Sequence, residues 1–267
     1  MLRRAPLVIA LVVSALAPAA GQTDRAARFM ENCNRNRNDY AQFCETRDFT
    51  LPVSQSLSVD GRQNGGIAVH GWNRNEVHVV AMVQTQAETD ADASALARSV
   101  AITTSAGSIG ATGPDRNSRH ESWSVSYEIW TPSNTNLTLT AMNGGISVDN
   151  VVSQMDLETL NGGLNLTDVD GNVRGTTTNG GVTVNLSGDR WHGTGLDLKT
   201  TNGGVHINVP SNYSAMLEAG TVNGGLDLGF PITVQGTVGR RLTTQLGAGG
   251  ATIRAITTNG GVSVRRR

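Results

Sequence analysis

Long apolar runs are almost missing from this chain. One exists, Ala5 to Leu16, behind the basic start Met1 to Arg4 and ahead of Ala17-Pro18-Ala19-Ala20-Gly21. That order of basic, apolar and small residues is a secretory signal peptide, expected over residues 1–20. The run falls short of the roughly 20 residues that a membrane span needs. No second run follows, so the expected mature chain has no transmembrane span. Cysteine is nearly absent as well. None stands just after the apolar run, so a lipid-anchored lipoprotein is not expected, and no C-x-x-C redox motif occurs. Arg3-Arg4 lacks the flanks of a twin-arginine signal. Lysine occurs once, at Lys199, and aromatics make up 4% of the chain. Without Arg3 and Arg4 the balance is 19 basic to 22 acidic residues, which gives no reason to expect nucleic acid as a partner.

The two cysteines that do exist, Cys33 and Cys44, lie in an N-terminal segment, residues 21–50. In an exported chain an isolated even pair is expected to be a disulfide, contributing roughly 2–3 kcal/mol by loop closure. The alternatives are a metal pair or two free thiols; no His stands at metal-finger spacing.

Glycine is plentiful, at 32 residues, and much of it recurs in one corner. Asn-Gly-Gly begins at Asn64, Asn143, Asn161, Asn179, Asn202, Asn223 and Asn259, with gaps of 79, 18, 18, 23, 21 and 36 residues. The last gap holds Ala248-Gly249-Gly250, read as a degenerate copy. With each Asn as position zero, positions +3 and +5 are apolar in all seven copies, for example Leu164 and Leu166, or Val182 and Val184. Upstream, positions −6, −4 and −2 are apolar or small, as in Met155, Leu157 and Thr159. This is strand, corner, strand, with one face buried. The copy at Asn64 breaks the upstream frame, because Ser58 stands at −6, so the regular stack is expected to begin near Leu137. Glycine and asparagine suit a corner that needs positive φ, and stacked Asn amides can form a ladder.

Asn-Gly between alternating strands is also a hairpin signal. The −2 column favours stacked coils, since it reads Ala141, Thr159, Thr177, Thr200, Thr221 and Thr257. The outward −5 column reads Thr138, Asp156, Arg174, Asp197, Glu218 and Arg254, which puts Arg174 between two acids. The expected fold is therefore all-β: a right-handed, single-stranded parallel β-helix, or β-solenoid, over residues 136–267. An N-terminal β section, residues 51–135, precedes it. Residues 76–85 and 123–130 read as strands there, and residues 89–100 as the one short α-helix, with Thr89 as N-cap and Ala91, Ala95 and Leu96 on one face. Residues 24–32 suit a further short helix. Such a section caps a solenoid end. At the other end, Arg265-Arg266-Arg267 is expected to deter strand addition to the last strand.

Repeated "TTNGGV" strands behind an export signal and a Cys pair resemble a bacterial family of candidate adhesins. It is a domain of unknown function with Asn-Gly-Gly repeats, related to the auto-transporter adhesin head domain called GIN. The resemblance covers roughly residues 51–264. It implies an exported β-solenoid of the envelope or the extracellular space, and it brings no catalytic residues.

The residues themselves offer little chemistry. β-Helix enzymes place two or three carboxylates on adjacent coils, and Asp197 with Glu218 is the best such pair here. No His, Lys or third acid joins it, so a surface pair is the favoured reading. His70, His78, His120, His192 and His206 have no ligand spacing. Residues 167–172, "TDVDGN", lack the acidic spacing of a calcium loop. Trp72, Trp123, Trp130 and Trp191 suit core or cap roles better than sugar stacking. The expectation is a non-catalytic binding or structural protein of the periplasm or cell surface, with no catalytic, cofactor or metal residues. Its partner would be envelope polysaccharide or a surface protein. A carbohydrate-active β-helix enzyme, a lyase or hydrolase, is the alternative; an envelope-stress accessory protein is a third reading.

Overall fold

The structure, a computed structural model, describes residues 24–35, 40–105, 107–115, 120–230 and 239–267. Residues 1–20, expected from the sequence to be a signal peptide, lie outside them. Helix α1 (Asp24–Arg35) leads to strand β1 (Ala41–Leu51), and β2 (Ser56–Asp60) and β3 (Ile67–Trp72) flank Asn64. Then come β4 (Val77–Ala87), helix α2 (Asp90–Ser99), β5 (Ala101–Ser105), β6 (Ser108–Thr112) and β7 (Ser122–Pro132). The regular pairs follow: β8 (Asn136–Ala141) with β9 (Ile146–Asp149), β10 (Val152–Thr159) with β11 (Leu164–Thr167), and β12 (Asp170–Thr177) with β13 (Val182–Asn185). After β14 (Gly195–Asn202) with β15 (Val205–Val209) come β16 (Ala215–Asn223) with β17 (Leu226–Leu228). A lone β18 (Arg241–Leu246) separates these from β19 (Thr252–Asn259) and β20 (Val262–Arg266).

Alternation decides which residues are buried. In the Asn161 unit Met155, Leu157, Leu164 and Leu166 are all at most 1% exposed. Every upstream strand lies in one ten-stranded sheet, ordered β18-β16-β19-β14-β12-β10-β8-β2-β6-β5. Every downstream strand lies in another, ordered β1-β4-β7-β3-β9-β11-β13-β15-β20-β17. The two inward faces form one continuous apolar core. Neighbouring units pair in parallel with like positions opposite, as Leu157 pairs with Leu139 and with Gly175. Gly175 is small where a column of leucines needs room: a Cβ there would lie 3.0 Å from Leu198 and 3.1 Å from Leu164.

The fold is all-β, but a strictly parallel, single-stranded helix is not what forms. The sheets are mixed. β4 runs antiparallel to β1 and β7, β5 to β6, and β18 to β16. End coils have no parallel neighbour, and hairpin strands pair their exposed backbone instead. The first copy also departs from expectation, because it joins the stack. Leu57 and Val59 pair with Leu137 and Leu139, one residue earlier than the frame of the other copies. The corner absorbs the extra residue at Arg62, whose φ is +52°.

The stacking order is not the chain order. β19 sits between β14 and β16, and β20 between β15 and β17. After the Asn223 unit the chain reverses along β18, turns at Gly247, Gly249 and Gly250, all with positive φ, and re-enters beside the Asn202 unit. Ala248-Gly249-Gly250 is therefore a turn between β18 and β19 and not a coil corner. The C-terminal strand is likewise interior and not an edge. Arg265 pairs with Asp227 at 3.3 Å, Arg266 lies over the Phe230 ring, and Arg267 donates to the Leu186 carbonyl at 2.7 Å.

The corners need glycine for a reason other than positive φ. Of the Asn-Gly-Gly residues themselves, only Gly260 has one. A Cβ on the first glycine of a corner would strike the carbonyl of the same glycine in the adjacent unit. It would lie 2.2 Å from Gly144 O for Gly162, 2.0 Å from Gly162 O for Gly180 and 2.1 Å from Gly180 O for Gly203. The −2 threonines use that closeness. Thr159, Thr177 and Thr200, all buried, donate from Oγ1 to Gly144, Gly162 and Gly180 carbonyls at 2.7–2.8 Å. Thr257 and Thr221 do the same to Gly203 and Gly260 at 2.7 Å. Threonine thus fills an apolar slot with its methyl and pairs a buried carbonyl with its hydroxyl.

At the N-terminal end Cys33 and Cys44 form a disulfide that ties α1 to β1. Ala26 and Phe29 of α1 cover Val80, Met82 and Trp130 on the outer face of the second sheet. Thr89 caps α2, accepting from the Asp92 N–H at 3.1 Å. Arg47 closes its other end by donating to the Ala97 and Val100 carbonyls. The buried face of α2 is Ala93 and Ala97, in place of Ala91, Ala95 and Leu96. The Ala93 carbonyl accepts from the Thr85 hydroxyl at 2.7 Å, an approach that small side chains permit.

Candidate functional site

The outward −5 column tests the enzyme alternative directly. Arg174 pairs in register with Asp156 on one side and Asp197 on the other. Because β19 is inserted, Arg254 stands between Asp197 and Glu218, at 2.9 Å and 3.6 Å. The two acids that chain order placed on adjacent coils are two strands apart, and the column alternates in sign along the stack. Lys199 is also 2.9 Å from Asp197. Burial pushes the Asp197 carboxyl up, but Lys199 and Arg254 outweigh it and hold it below its usual range. A carboxylate held ionised by two cations is a poor general acid.

The corner asparagines form one ladder. Asn143 donates to Asn64 at 3.1 Å, Asn161 to Asn143 at 2.7 Å, Asn179 to Asn161 at 2.7 Å and Asn202 to Asn179 at 2.8 Å. Asn259 then donates to Asn202 at 2.7 Å and Asn223 to Asn259 at 2.8 Å. The ladder is exposed and runs beside an outward column holding Met142, Leu160 and Val222, each 43–50% exposed. Along the opposite corner Asn208 donates to Asn185 and Asn185 to Thr167.

The histidines separate. His206 is exposed, His120 lies by Glu88, and His78 lies 3.5 Å from Asp48. His192 and the backbone amides of residues 192 and 193 bind Asp170, so the carboxylate of the "TDVDGN" stretch anchors a loop. His70 is the exception. Its Nδ1 is 2.6 Å from Asp149 and its Nε2 is 3.3 Å from buried Glu128. Burial opposes its charge, yet the two carboxylates prevail and raise the pKa to about 9. The imidazolium neutralises two acids on the outer face and stacks on Trp130. Nothing in the sequence marked this cluster, because His70 and Glu128 are brought together only by parallel pairing of β3 with β7.

Trp191 is buried, donating to Gly171 O at 2.9 Å, and Trp72 donates to Glu76 O. Trp123 stands differently, at the wall of a groove of about 450 Å³. Arg62 and Gln63 of the first corner, Thr112 at the end of β6, Asp115 after it, and Tyr127 of β7 line it with Trp123. The groove opens where the two sheets part beside the first coil. Sequence reading missed it because its residues come from three separated stretches.

A family model described as Toastrack DUF4097 matches residues 50–265. The chain belongs to the Toastrack DUF4097 family. The match covers both sheets of the Toastrack domain apart from most of β1, and leaves α1 outside. No curated protein matches. Solved structures similar to this Toastrack chain include a candidate cell adhesion protein from Clostridium sporogenes, 12% identical, covering 84% of this chain and 100% of its own, with a TM-score of 0.47. A candidate adhesin from Bacteroides fragilis is 11% identical over 84% of this chain and 97% of its own, with a TM-score of 0.42. A candidate lipid binding protein from Parabacteroides distasonis is 8% identical over 87% and 98%, with a TM-score of 0.27. Among the described residues no helix is long and apolar enough to cross a membrane.

Proposed function

We propose that this Toastrack protein is an exported, non-catalytic, adhesin-like protein of the periplasm or cell surface. It contacts envelope polysaccharide or a surface protein through its repeat faces. A right-handed winding of the coils and kinship to the GIN adhesin head belong to the same reading. The observation that carries it is Arg254 between Asp197 and Glu218. The best carboxylate pair is used to hold strands in register, which favours a scaffold over a hydrolase or lyase. The asparagine ladder supports the binding half of the reading. It repeats polar groups at the spacing of paired strands, about 4.8 Å, and suits a partner gripped by many weak contacts.

The test is sedimentation of the purified protein with isolated envelope material, intact and after protease treatment, alongside an assay for release of reducing sugar. Binding that survives protease, with no sugar released, is expected for polysaccharide; binding lost on protease treatment points to a protein. Sugar release that falls roughly 10²-fold or more in Asp197→Asn with Glu218→Gln, the scale of acid–base catalysis, would make the protein an enzyme.

A further inference from the structure

We propose that the groove beside the first coil is a discrete site for one uncharged sugar ring. Its size falls within the range of small-molecule sites, roughly 300–1,000 Å³, and its chemistry is mixed in the way a sugar requires. Trp123 supplies an aromatic surface whose polar edge is already used, since its indole N–H donates to Pro114 O at 2.9 Å. The ring therefore offers the groove only apolar contact. Tyr127 is 0% exposed and lines the same groove. Its hydroxyl has no hydrogen-bond partner among the described residues. A buried polar atom left so is uncommon and costs stability of the order of 1–3 kcal/mol. The hydroxyl has almost no accessible surface, so a ligand hydroxyl would satisfy it as side chains at the base of the groove give way. Burial first, and Asp60 next, push the Tyr127 phenol up, so the hydroxyl keeps its proton and can both donate and accept.

The charges at the rim select against an anion. Arg62 is paired with Asp60, donating its backbone N–H at 2.8 Å and placing its guanidinium 3.4 Å from the carboxylate. Asp115 adds a further exposed carboxylate at the mouth. Thr112 and Gln63 supply a hydroxyl and an amide that suit sugar hydroxyls. Arg62 also holds the left-handed conformation unusual for its residue type, and backbone strain of this kind concentrates at ligand sites. The groove meets the ladder at Asn64, yet this inference and the reading above fail separately: envelope sedimentation can persist where no monosaccharide binds, and Tyr127→Phe reports on the groove alone.

The test uses the full mature chain in ligand-observed NMR and calorimetric titrations. The probes are glucose, galactose, N-acetylglucosamine and glucuronate, with octanoate as an acyl-chain control. At least one neutral sugar should bind at millimolar concentration or better, and glucuronate and octanoate should bind at least tenfold more weakly. Tyr127→Phe removes only a hydroxyl that has no bond within the described protein. It should leave the urea midpoint unchanged or higher and weaken sugar binding roughly 3- to 10-fold, the scale of one hydrogen bond. Trp123→Ala should weaken it about tenfold or more. The proposal is overturned if no neutral sugar binds, if glucuronate or octanoate binds as well or better, or if Tyr127→Phe binds as the native protein does.

Discussion

Alanine substitution at the two glycines of a single corner separates steric need from mere flexibility. Gly180 and Gly181 are adjacent, and neither has positive φ. A Cβ on Gly180 would lie 2.0 Å from the Gly162 carbonyl oxygen, whereas one on Gly181 would lie 3.6 Å from Gly204 O, an ordinary contact. To restore about 3.4 Å at Gly180, the corners of the Asn161 and Asn179 units must part by about 1.4 Å. Four hydrogen bonds cross that gap or its neighbour at 2.7–2.8 Å: Asn179 to Asn161, Asn202 to Asn179, Thr177 to Gly162 and Thr200 to Gly180. Stretched by that amount, those at the gap pass beyond bonding distance. With two to four of them lost at roughly 0.5–1.5 kcal/mol each, Gly180→Ala should cost about 1–6 kcal/mol, set against a typical domain's 5–15 kcal/mol. Gly181→Ala should be neutral, or stabilise by up to about 1 kcal/mol through the unfolded chain. Urea unfolding followed by far-ultraviolet circular dichroism measures both. Equal destabilisation of the two variants would refute the close-approach argument and return the corner to a simple need for flexible residues.

Deleting residues 252–267 should abolish cooperative folding, although repeat proteins usually tolerate loss of an end unit. The cut removes Ile253, Val262 and Val264, each at most 1% exposed and worth roughly 1.5–3 kcal/mol, from inside both sheets; a retained cooperative melt would contradict the inserted order. Raising the pH should remove the contribution of His70, whose pKa is about 9 folded and 6.5 unperturbed. Its stabilisation, at most about 3 kcal/mol, is complete below about 6.5 and lost as pH rises through about 9; it is absent from His70→Gln, so a native-minus-variant difference that stays flat from pH 6 to 10 would contradict it.

Much of the fold was written locally. Alternation around the Asn-Gly-Gly corners fixed which side chains face inward, from Ile67 to Val264 but not upstream of Asn64, because a strand has only two faces and water separates them. The recurrence of like residues at −2 pointed to parallel stacking, since only a column of equals makes each threonine useful to its neighbour's glycine. The sequence could not set the order of the coils. Asn223 precedes Asn259 in the chain, but strand pairing is indifferent to chain order once a loop is long enough. Placing Arg254 between Asp197 and Glu218 favours the inserted arrangement over setting two acids side by side. Tertiary structure alone brought His70 to Glu128 across β3 and β7. It also assembled the Trp123 and Tyr127 groove from three stretches that share no pattern. Periodicity records what each residue does toward its own sheet, whereas a site depends on which distant strands become neighbours, and that is decided by packing over the whole core.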